Sequence, residues 1–92
     1  MVNKERIQKL IEVVEKFKAF DQNEEDNCVV GIGVRLVAKR RRVDVKDSIK
    51  NVYTDCRIFA NYFGVTFKEA ILLYWELDAT KEQMLTELRW LI

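Results

Sequence analysis

With 92 residues, 49% of them hydrophobic and 34% charged, the chain has the make-up of one folded domain, residues 1–92; it is too short for two independent cores and too apolar to stay disordered. Sixteen Lys and Arg against fifteen Asp and Glu leave a formal charge of +1, so any attraction to nucleic acid or anionic lipid must come from a local cluster. The lack of proline and the presence of only three glycines favour long helices joined by short polar turns, an all-α bundle of four or five helices.

From Asn3 to about Phe20 the residues Ile7, Leu10, Ile11, Val14 and Phe17 recur at helical spacing, with Glu12, Glu15, Lys16 and Lys18 on the other face. Asn3 is the expected N-cap, and Glu12 and Lys16 form an i,i+4 pair in the favourable order. Residues 21–27 are polar and acidic without periodicity, which reads as a linker. The run from Cys28 to Ala38 suits a buried strand by its β-branched residues and a buried helix by its length. We read it as a helix, because a lone strand would leave its backbone groups without partners. Gly31 and Gly33 would cost that helix about 1 kcal/mol each relative to alanine, and allow a crossing helix to approach closely.

Lys39, Arg40, Arg41 and Arg42 end that element, cations suiting the negative end of a helix. Asp44 offers a cap for the longest helix, residues 45–63, with a stripe of Val45, Ile49, Val52, Tyr53, Cys56, Phe59, Ala60 and Phe63. Gly64 stands where a left-handed residue closes a helix. Thr66 with Glu69 and Thr80 with Gln83 are capping boxes that open helices to about Leu77 and Leu91. The helices 45–63 and 67–77 are expected to form the centre. In the last helix Met84, Leu85, Leu88, Leu91 and Ile92 face the core. Trp90 falls opposite, among Gln83, Thr86 and Glu87, either as a partner contact or under a neighbouring helix.

The residue types single out no chemistry. Without histidine there is no imidazole base, no histidine metal ligand and no serine– or cysteine–histidine dyad. Cys28 and Cys56 lack Cys-x-x-Cys spacing, so no zinc site is expected, and both read as reduced, buried thiols of a cytoplasmic protein. Glu24, Glu25 and Asp26 lack the alternation and glycine of a calcium loop. Gly31-x-Gly33 lacks the third glycine of a dinucleotide loop and the lysine of a phosphate loop. The N-terminus has no apolar signal region, and no stretch is long enough to span a membrane. We therefore expect no catalytic residue, cofactor or metal.

Two surfaces remain. Arg35, Lys39, Arg40, Arg41, Arg42, Lys46 and Lys50 gather positive charge within sixteen residues, either a solvated helix end and turn or a patch that neutralises phosphates. Trp75, Leu72 and Trp90 are candidates for contact with another protein or a second copy, since the helix that follows Thr66 is apolar over more than half its circumference. The segment 57–75, centred on Ala60-Asn-Tyr-Phe-Gly64-Val-Thr66, resembles a helix-turn-helix. Its second helix, however, offers little but Lys68, Glu69 and Glu76 to read base edges.

Cys28-Val-Val-Gly31, Phe63-Gly64-Val65-Thr66 and Thr80-x-Glu82-Gln83 together resemble small uncharacterised helical proteins of bacteria and their phages. That resemblance implies a helical 28–38 and an origin in a phage or mobile element, and no activity. The expected function is a non-catalytic protein-binding or regulatory module, possible as a homo-oligomer, with a nucleic-acid-binding accessory protein as the alternative.

Overall fold

The computed structural model describes residues 2–24, 27–41 and 52–92. Among these the chain forms five helices and no strand: α1 (Lys4–Lys16), α2 (Val29–Arg41), α3 (Val52–Phe63), α4 (Phe67–Tyr74) and α5 (Lys81–Trp90). The all-α fold follows the sequence pattern.

In α1 the Asn3 Oδ1 accepts the amide of Arg6 at 3.1 Å, and Ile7, Leu10, Ile11 and Val14 are buried. The helix stops at Lys16 rather than near Phe20, because Phe17 takes an extended backbone with ψ 102°. The carbonyls left over at this end are met from the far end of the chain. Lys81 Nζ donates to Phe17 O at 2.8 Å and Glu15 O at 3.4 Å. The ion pair on Glu12 is made with Lys9, at 4.0 Å.

The ambiguous run is helical, and it extends through Arg41, so Lys39, Arg40 and Arg41 belong to its last turn. Cys28, Val29, Val30, Ile32, Val34, Val37 and Ala38 are all buried, because α2 lies against α1, α3 and α4 at once. Enclosure of this kind overrides the weak strand preference of valine and isoleucine. The crossing with α3 depends on Gly33: a Cβ there would lie 2.5 Å from Phe59 Cε2 and 3.0 Å from Phe63 Cε2.

Of the helix expected over 45–63, the part from Val52 is described; Asp44 and residues 45–51 lie outside the described residues. Cys56, Phe59, Ala60 and Phe63 are buried as the stripe requires, but Tyr53 is 64% exposed. Tyr53 stacks instead on Phe67 at the surface, with ring centroids 6.3 Å apart. Tyr62 is buried, with the Arg6 guanidinium 4.1 Å above its ring. Arg6 Nη1 also donates to Tyr62 O, and the Asn3 amide donates to Phe63 O, both at 2.9 Å. The start of α1 thereby completes the end of α3. Gly64 closes that helix with φ 73°, its amide bonded to Ala60 O.

Both capping boxes are formed, Thr66 with Glu69 and Thr80 with Gln83. Helix α4 ends at Tyr74, three residues before the expected Leu77, and buries only Ala70 and Leu73. It is a flank, and α2 takes the central place that 67–77 was expected to share with α3.

The supposed linker is a junction. Gln22 is buried; its Oε1 accepts the first amide of α2, from Val29, at 3.2 Å, and its Nε2 donates to Leu73 O at 2.6 Å. Next to it Asn23 and Asp78 form a reciprocal pair: Asn23 Nδ2 donates to Asp78 Oδ1 at 3.0 Å, and the Asp78 amide donates to Asn23 Oδ1 at 2.8 Å. That pair holds Asp78 in the left-handed region, φ 63°, which aspartate tolerates better than most residues.

Candidate protein-binding surface

Helix α4 has only two turns and packs on α3 through one side. Ala70 and Leu73 are buried and Ile71 and Tyr74 are partly covered by the core, but the apolar residues on the outer side are left largely open. Leu72 is 56% exposed, Trp75 58% and Leu77, in the turn beyond, 58%. The Trp75 indole is not loose, since it meets the Tyr74 ring edge-on at 5.4 Å.

Helix α5 packs on α1 through Met84, Leu85 and Leu88. Trp90 projects on the opposite side, 85% exposed, where the helical spacing places it. The N-terminal helix does not cover the indole. Leu91 is half-buried, but Ile92, expected in the core, is exposed because the helix has ended before it.

Two hollows lie beside Leu72, Leu77 and Leu91. One, of about 210 Å³, lies between α4 and α5 and is lined by Glu69, Leu72, Leu73, Glu76, Glu87 and Leu91. The other, of about 530 Å³, shares Glu76 and Glu87 and continues past Leu77 and Asp78 to Gln83 and Thr86. Gln83, Thr86, Glu87 and Trp90 lie three or four residues apart on one face of α5, so the indole extends this surface by a turn. No Lys or Arg side chain among the described residues lines either hollow.

The electrostatics are uneven. Burial, reinforced by the neighbouring Glu76, holds the Glu87 carboxyl above the usual range. Glu69 is lowered, because the backbone and side chain of Thr66 donate to its carboxylate in the capping box.

The basic run is placed differently. Arg35 is half-buried, its guanidinium 5.2 Å from the Phe17 ring centroid and 3.5 Å from Asn27 Oδ1, so its donors are directed to the fold. Lys39, Arg40 and Arg41 are on the last turn of α2, while Arg42, Lys46 and Lys50 lie outside the described residues. The helix-turn-helix-like corner is present as α3, Gly64 and α4, but α4 turns Phe67, Leu72 and Trp75 outward. An apolar face of that kind suits a protein better than base edges.

Cys28 and Cys56 are free and buried. Burial pushes both thiols up, Cys56 to about 11, and the nearby Asp55 adds to each shift. Among the described residues no group of three or more Cys, Asp and Glu could hold a metal ion, and no helix is long and apolar enough to cross a membrane.

The residues singled out from the sequence, Leu72, Trp75 and Trp90, are exposed; Leu77 and the carboxylates of the hollows were not among them. A signal was available: Glu69, Leu72, Leu73 and Glu76 follow i, i+3, i+4, i+7, a stripe of apolar residues bracketed by acids. No family model, curated protein or solved structure matches the chain.

Proposed function

We propose that this chain is a non-catalytic protein-binding module whose contact surface is the outer face of α4 and α5. The observation that carries the reading is that Leu72, Trp75, Leu77 and Trp90 are each more than half exposed, with Leu72 and Leu77 lining two hollows that share Glu76 and Glu87. Single exposed apolar residues are ordinary; two exposed indoles together with two exposed leucines in a domain this small are less so. Tryptophan contributes strongly at interfaces because it buries a large area while few torsions are lost. The buried thiols suit a reducing, intracellular setting.

The test is the double substitution Trp75→Ala and Trp90→Ala. Far-UV circular dichroism should be unchanged, whereas association, read by sedimentation of the pure protein and by partner capture from the native host, should be lost. A variant that melts far lower with association intact would place the indoles in the fold and not in an interface.

A further inference from the structure

Resting on that reading, we propose that the partner enters as a basic amphipathic helix seated between α4 and α5, its apolar side chains on Leu72, Leu73 and Leu91 and its Lys or Arg side chains on Glu69, Glu76 and Glu87.

The first ground is shape. The hollow is lined from two helices, and its apolar lining is Leu72, Leu73 and Leu91, as expected for a helix laid in a groove. No strand is present among the described residues, so no sheet edge is offered for an added strand.

The second ground is charge. Three of the six residues that line the hollow are carboxylates, and Asp78 follows in the adjoining one. The whole chain carries +1, so this face opposes the charge of the molecule. Of the described cations nearest in sequence, Arg89 Nη2 meets Glu15 Oε1 at 2.9 Å, Lys81 serves the end of α1, and Lys68, beside Glu69, lines neither hollow. Burial and Glu76 already disfavour the charged form of Glu87. A partner cation would relieve that repulsion, whereas an acidic or purely apolar helix would add to it or bury it unanswered.

The experiment uses the full chain and three synthetic 18-residue peptides: an amphipathic Leu/Lys helix, a Leu/Glu helix with the same apolar face, and a scrambled Leu/Lys peptide with no face. Binding is followed by calorimetry, and the site by backbone amide shifts. The Leu/Lys helix should bind and shift the amides of Leu72, Leu73, Glu76, Glu87 and Leu91, and the other two should not. The triple variant Glu69→Gln, Glu76→Gln, Glu87→Gln should weaken binding by about tenfold or more, with the salt dependence reduced. Glutamine at 69 can still complete the capping box, so the fold is kept.

Equal binding of the scrambled peptide, or of the Leu/Glu helix, would overturn the proposal. So would shifts confined to another face, or a dimer of the chain alone that occupies the hollow. If Trp75→Ala with Trp90→Ala abolishes association while the triple glutamine variant leaves it intact, the binding reading stands and the basic helix is wrong.

Discussion

Gly33→Ala sets a gain in helix propensity against a loss of packing at the crossing of α2 and α3. Alanine in a helix interior is favoured over glycine by about 1 kcal/mol. The new Cβ would lie 2.5 Å and 2.6 Å from two Phe59 ring carbons, where ordinary contact begins at 3.4 Å, so the ring must retreat by 3.4 − 2.5 = 0.9 Å. It has little room. Phe59 is fully buried, its ring centroid is 4.5 Å from that of Phe63, and Phe63 Cε2 is itself 3.0 Å from the same Cβ. Overpacking a core of this kind costs about 1–3 kcal/mol, and two crowded rings place the cost near the top of that range. The net expectation is a loss of about 1–2 kcal/mol, or a Tm lower by roughly 4–15 °C. Urea unfolding followed by circular dichroism measures it. In a Phe59→Leu background the same change should be neutral or stabilising, a coupling of about 1 kcal/mol or more. A Gly33→Ala protein at least as stable as the parent would refute the argument.

Other expectations follow from the same contacts. Gln22→Leu removes both bonds of a buried amide and should cost about 2–4 kcal/mol in urea unfolding, since each orphaned group costs about 1–3 kcal/mol; a loss below about 0.5 kcal/mol would mean water replaces the amide. Cys28 and Cys56 should label slowly in the native state, and rapid modification at pH 7 would contradict their burial. Their raised native pKa values imply stability that is complete below about pH 8.5, where unfolded thiols begin to ionise, and that falls as pH rises toward about 11 for Cys56. Glu87 is also raised, with Glu69, Glu76 and Asp78 as the carboxylates that line its hollows, so its contribution is present at acid pH and lost as pH rises through its native pKa. Glu87→Gln should therefore stabilise at pH 7 and not at pH 3.5; equal effects at both would exclude the electrostatic cause. Any nucleic-acid binding should vanish at physiological salt and weaken in the Arg40→Ala, Arg41→Ala, Arg42→Ala variant, whereas sub-micromolar, sequence-selective binding at that salt would move the function to the basic segment.

The sequence by itself determined the helices and most of their ends. The Asn3 cap, the two capping boxes and the left-handed Gly64 each depend on residues within about four positions of one another, and their signals are therefore local. The same holds for the buried stripe of α1 and for Trp90 on the outer side of α5, which follow from helical periodicity. The crossing at Gly33 was legible too, because a glycine kept in an apolar helix implies a close neighbour.

Tertiary structure decided which faces were covered. Periodicity shows that α4 is apolar over more than half its circumference, but only the placing of α2 at the centre leaves Leu72 and Trp75 outside. It also decided the contacts that join distant parts of the chain: Gln22 to Leu73, Asn23 to Asp78 and Lys81 to Phe17, separated by 51, 55 and 64 residues. A polar side chain in a linker carries no mark of its partner. Helices that end early leave carbonyls and amides that must be satisfied from elsewhere, and which side chain arrives depends on how the helices pack, not on the residues beside it.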